Sequence, residues 1–83
     1  KVSFDTVNAI IQERCTVCHA ATPSYPGFAA APKGYMYNTQ AQIEAQAALI
    51  YQQTVVLKAM PIGNLTGITD EERQVIAQWY QQR

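Results

Sequence analysis

Cys15, Cys18 and His19 are the only cysteines and the only histidine in the 83-residue chain, and they fall within one pentapeptide, Cys15-Thr16-Val17-Cys18-His19. Two thiols at this spacing can each form a thioether to a vinyl group of one porphyrin edge. The imidazole that directly follows then stands where it can ligate the iron, so the three side chains work as one device. Two other chemistries use similar residues. A structural zinc ion normally takes four cysteine or histidine ligands, and this chain has three, so zinc would need a carboxylate or a second chain. A thioredoxin-like dithiol belongs in a βαβ setting, whereas this pair follows a helical pattern. One covalently attached haem c is the expected cofactor, with Cys15 and Cys18 as its attachment points and His19 as an iron ligand.

A histidine leaves the opposite axial position to another residue, and two methionines are available. Met60 stands in Lys58-Ala59-Met60-Pro61-Ile62-Gly63-Asn64, where proline and glycine can turn the chain and present a thioether from a rigid loop. Met36 lies between Tyr35 and Tyr37 and reads better as an apolar wall. Met60 is therefore the expected second metal ligand, with an open sixth site or a lysine ligand as alternatives. A thioether is a soft, neutral ligand that favours ferrous iron and raises the reduction potential. The second nitrogen of His19 should donate to a carbonyl. Pro32, within Ala31-Pro32-Lys33-Gly34, is the candidate to provide it, or else simply a turn former. Asn64 is a candidate donor to the Met60 sulfur or a turn cap. Tyr35, Tyr37 and Trp79 are candidate pocket residues, each also explicable as core.

These residues need elements to hold them. Ser3 can cap a first helix that runs to about Arg14, with Asp5 in its first turn and Phe4, Val7, Ile10 and Ile11 on one face. Pro23, Pro26, Gly27, Pro32 and Gly34 punctuate residues 20–38, which carry too many apolar groups for disorder and read as an ordered loop. Thr39 and Gln42 have capping-box spacing. Ile43, Ala47, Ile50 and Thr54 then line a stripe, giving one helix or a broken pair over roughly 40–58. Pro61, Gly63 and Gly67 mark a second loop. Thr69 and Glu72 repeat the capping box before a last helix that buries Val75, Ile76, Trp79 and Tyr80 and ends near Arg83. The expected fold is all-α and one domain, residues 1–83.

The bulk numbers fit that picture. A chain this short has a thin core and benefits from a bound group that the unfolded chain cannot hold equally well. Six basic and six acidic residues cancel, and 14% charged residues is well below the about 25% of an average soluble domain. Neither a nucleic-acid footprint nor a polybasic patch is present. No apolar run approaches the ~20 residues of a membrane span, so direct membrane insertion of this segment is not expected. Ten glutamines and twelve alanines replace much of the missing charge, as on a surface resting against another domain or on a bland monomer surface. No leader precedes Lys1, so the sequence reads as a processed or excised piece. The chain offers no nucleophile–base pair, and its carboxylates sit mostly in helix caps, so no catalytic residue is expected.

The order of capped helix, Cys15-Thr16-Val17-Cys18-His19, proline loop, middle helices, Met60-Pro61 loop and final helix resembles the class I cytochromes c over essentially all 83 residues. That resemblance implies a fold in which the first and last helices cross, bringing Val7 and Ile11 against Ile76 and Trp79, with Val7 standing where many relatives carry a smaller residue. It also implies one-electron transfer through a haem edge and a location on the extracytoplasmic side of the membrane. A narrower likeness rests on His19-Ala20-Ala21-Thr22-Pro23, on Ala31-Pro32-Lys33-Gly34, and on the run from Lys58 through Met60-Pro61 and Thr69 to Arg73. Together these are similar to the C-terminal cytochrome c domain of the bacterial membrane-bound urate oxidases (urate hydroxylases). This implies a membrane domain of the same polypeptide as electron donor, a downstream respiratory cytochrome or oxidase as acceptor, and the periplasmic face of the inner membrane. A free periplasmic shuttle, a haem sensor or peroxidase with an open sixth site, and a haem-free zinc module are the alternatives.

Overall fold

Ser3 holds extended backbone, and its hydroxyl accepts the Thr6 amide at 3.3 Å, starting α1 (Phe4–Arg14). Asp5 and Arg14 stand at the ends of the helix that favour their charges. Val7, Ile10 and Ile11 are buried along one face. The computed structural model describes residues 1–83, and all of its regular structure is helical. No helix is long and apolar enough to cross a membrane.

The middle of the chain is a broken helix, the second of the two forms its stripe and capping box allow. Thr39 and Gln42 close the box in both directions at the start of α2 (Gln40–Ala45). α3 (Ala47–Tyr51) follows and widens into a π-helical turn over Gln52–Val56. Ile43, Ala47, Ile50 and Thr54 are all buried. The second capping box, Thr69 with Glu72, starts α4 (Asp70–Gln81), which ends two residues before Arg83. Short 3-10 turns at Pro32–Gly34 and Ile62–Asn64 shape the two loops.

α4 packs against α1, α3 and the π-turn. Val7, Ile11, Ile43 and Ile76 are the most deeply buried side chains, and they join Ile10, Tyr37, Ala47, Ile50, Ile68 and Trp79 in one core. Full burial of an aliphatic side chain contributes about 1.5–3 kcal/mol. Only 14 of 83 residues are buried, so each core contact matters to a chain this small. The two ends of the chain are tied together. The Val2 amide donates to Gln82 Oε1 at 3.0 Å, and Gln82 Nε2 donates to the Val2 carbonyl at 2.6 Å.

Candidate cofactor site

After Arg14 the chain does not leave α1 abruptly. The amides of Cys15 and Thr16 both donate to the Ile11 carbonyl, and those of Cys18 and His19 both donate to the Cys15 carbonyl. The Thr16 hydroxyl donates to Gln12 O at 2.6 Å. The pentapeptide is thus wound as a turn continuous with the helix, which holds its side chains on a rigid frame. Loop 20–38 is pinned to it: the Tyr25 amide donates to Val17 O at 2.9 Å and the Tyr37 amide to His19 O at 2.8 Å.

This turn forms one wall of a cleft of about 510 Å³, within the ~300–1,000 Å³ usual for small-molecule and cofactor sites. Cys15, Val17, Cys18 and His19 line it, together with Phe28, Pro32, Tyr35 and Tyr37 from the first loop. Leu49, Ile50, Gln53 and Thr54 come from the middle helix, and Met60, Pro61, Ile62 and Leu65 from the second loop. Arg14 and Lys33 are its only cationic residues. Arg14 is committed elsewhere: it donates to Glu72 Oε1 at 3.1 Å and to the Thr66 carbonyl, and the Thr66 hydroxyl donates back to the Arg14 carbonyl at 2.8 Å. Lys33 is exposed and makes no ion pair.

His19 Nδ1 lies 2.8 Å from the carbonyl oxygen of Tyr35. A carbonyl only accepts, so Nδ1 carries the proton and Nε2 keeps its lone pair for a metal. The imidazole also packs on Tyr37, ring centroids 5.0 Å apart. The carbonyl expected from Pro32 therefore comes from Tyr35. The Pro32 carbonyl is occupied by the Tyr35 amide at 3.1 Å, because the 3-10 turn folds it inward on itself, and Pro32 serves as cleft wall.

Both cysteines are free and half-buried. Burial, and secondarily the neighbouring Cys18, pushes the Cys15 thiol up to about 12, and burial raises the Cys18 thiol as well. A dithiol redox centre works through a thiolate of lowered pKa, so this environment opposes that chemistry. No group of three or more histidine, cysteine, aspartate and glutamate side chains of this chain is placed to hold a metal ion, so zinc would need ligands from a second chain. The Tyr37 hydroxyl is pushed up to about 12, first by burial and then by Cys15 and Tyr35, so it stays neutral.

The two methionines are separated. Met60 lines the cleft, whereas Met36 lines a different, smaller hollow with Gly34, Tyr35, Gln42, Ala45 and Gln46. Met60 is also pinned by its backbone, the amide donating to Gln53 O at 3.1 Å and the carbonyl accepting from Arg73 Nη1 at 3.1 Å.

Two other expected pocket residues lie elsewhere. Asn64, in left-handed backbone (φ 49), braces its own turn: Oδ1 accepts the Ile68 amide at 2.8 Å and Nδ2 donates to the Ile68 carbonyl at 3.2 Å. These bonds aim the side chain at its own turn, and it makes no hydrogen bond to the Met60 sulfur. Trp79 is buried in the helical core with Arg83 5.3 Å over its ring, because its place on α4 faces the core. Sequence reasoning missed Phe28, Gln53, Leu65 and Arg73. Of these, only Arg73 carried a signal, a charged residue at the helical spacing of Ile76 and Ala77.

Comparison with family models, with curated proteins and with solved structures finds no match to this chain.

Proposed function

We propose that the chain is a cytochrome c domain of the class I type that transfers single electrons through one covalently bound haem c. The observation that carries this reading is that Cys15, Cys18, His19 and Met60, drawn from two segments far apart in sequence, line one mostly apolar cleft. The donor set fits: two free thiols, an imidazole whose Nε2 is left for a metal, and a thioether on a pinned loop.

A haem so held supplies an iron that takes up and releases one electron. The protein's part is attachment, orientation and exclusion of water. Cys15 and Cys18 would hold the group by adding their S–H across its two vinyl groups, sulfur to one carbon and hydrogen to the other, with no oxidant required. The Tyr35 carbonyl fixes the His19 tautomer and raises its basicity. Met60 would hold the iron as the second protein ligand, and an iron held by two protein ligands would favour electron transfer over catalysis. Phe28, Leu49, Ile50, Ile62 and Leu65 provide the apolar surround, and Lys33 is the cation at the cleft left to face a propionate.

The setting follows from the resemblance and from the surface. Val56 and Leu57, which lie outside the cleft, are 59% and 57% exposed, which supports a domain seated against a larger partner. We read the domain as the periplasmic electron acceptor of a membrane-bound urate oxidase, passing electrons from its membrane domain to a respiratory cytochrome or oxidase. Several membrane spans encoded before Lys1 are the expected finding, and a cleavable signal peptide there would favour the free shuttle.

The cofactor assignment is tested by the mass of the denatured chain and its pyridine haemochrome spectrum. One haem retained through denaturation is expected, reduced to a single thioether in Cys15→Ala or Cys18→Ala. A chain of apo mass that binds zinc would overturn the proposal.

A further inference from the structure

Arg73 is the one buried charged side chain, 9% exposed, and it has no carboxylate partner: the ion pairs of the molecule use Arg14 and Arg83. A buried cation without a counter-ion is costly, and an apolar residue would serve the same face of α4. What Arg73 does make is two bonds from Nη1, to the Thr54 carbonyl at 2.5 Å and to the Met60 carbonyl at 3.1 Å. The Thr54 hydroxyl in turn donates to Ile50 O at 2.6 Å. The Met60 amide is taken by Gln53 O. Residue 60 is therefore gripped at both of its peptide groups, from the π-turn on one side and from α4 on the other.

We propose that Arg73 is a positioning residue for the Met60 ligand, clamping the ligand loop to the π-turn and α4 and adding a fixed positive charge next to it. The inference rests on the reading of Met60 as axial ligand. Charge-assisted bonds to carbonyls are strong where water is excluded, so the clamp lowers the freedom of the Met60 loop to swing away from the iron. The same charge disfavours the additional positive charge of the oxidised centre and so raises the reduction potential.

The test uses the ferric holoprotein, with imidazole as a competing sixth ligand. Arg73→Met is expected to bind imidazole at least tenfold more tightly than wild type, to weaken the sulfur-to-iron charge-transfer band and to lower the potential, with haem mass unchanged. Should that variant fail to fold, Arg73→Gln, uncharged and two bonds shorter, carries the test with the same expected direction. Val75→Ala, on the same helix at a half-buried position, controls for general loosening and is expected to stay within threefold of wild type. Wild-type imidazole affinity and band in the Arg73 variants would overturn the clamp, as would an equal rise in Val75→Ala. A wild-type protein indistinguishable from Met60→Ala would overturn the axial assignment itself, and the clamp with it.

Discussion

His19 Nδ1 and the Tyr35 carbonyl oxygen stand 2.8 Å apart, and this contact joins the turn that carries both cysteines to the loop that covers it. Because the acceptor is backbone, the bond depends on loop conformation and not on the phenol. Gly34, immediately before Tyr35, has φ +75, and a methyl group there would meet no atom within 4 Å. Gly34→Ala should therefore cost only the left-handed backbone penalty of about 1–2 kcal/mol. Tyr35→Phe should change stability by less than about 0.5 kcal/mol. Denaturant midpoints of the holoprotein check both.

Met60 and Met36 give opposite expectations. Met60→Ala should remove the sulfur-to-iron band of the oxidised form and lower the reduction potential, whereas Met36→Ala should retain the band, since Met36 lines a separate hollow. Absorption spectra of the two ferric variants decide it, and the reverse pattern would assign the ligand to Met36.

Glu72 links acid sensitivity to a named contact. Its carboxyl is held below the usual carboxylate range, first by its bond from the Thr69 backbone and further by Arg14, against an opposing effect of burial. A group depressed in the folded state contributes stability above its unfolded pKa, near ~4.3, and loses that contribution as pH falls through the folded value. Glu72→Gln keeps an acceptor for the Thr69 amide but loses the charge facing Arg14. It should cost about 0.2–1 kcal/mol at pH 7 and flatten the fall in stability below about pH 5. Unfolding curves at several pH values measure this, and an unchanged slope would remove Glu72 from the account.

The α1–α4 contact has a predicted size. Ile76 is fully buried against the core that includes Val7 and Ile11. Ile76→Ala should lower stability by about 2–5 kcal/mol, a large share of what a chain of this length holds. Thermal unfolding of the holoprotein checks it.

The helices were legible because their signals are local. A capping box closes within four residues, and both boxes, Thr39 with Gln42 and Thr69 with Glu72, form as their spacing implies. The stripe Ile43, Ala47, Ile50 and Thr54 is buried as its period requires, though the periodicity did not reveal that α3 would widen into a π-turn. The pentapeptide, too, is a local device, and its three chemical groups were evident from spacing alone.

By itself, then, the sequence determined the capped helices, the buried faces and the two thiols with their adjacent imidazole, all set by neighbours within a turn or two. The tertiary structure alone decided that Tyr35 and not Pro32 offers its carbonyl to His19, and it chose between the two roles left open for Asn64, which braces a turn, and for Trp79, which belongs to the core. It also decided that Met60, not Met36, shares a cleft with His19, and that Arg73 reaches back to hold residue 60. Apart from the local Asn64 brace, these outcomes depend on where loops of irregular backbone carry a carbonyl relative to residues 13 to 16 positions away. Such long-range pairings are fixed by packing of the whole chain and leave no periodic trace in the order of residues.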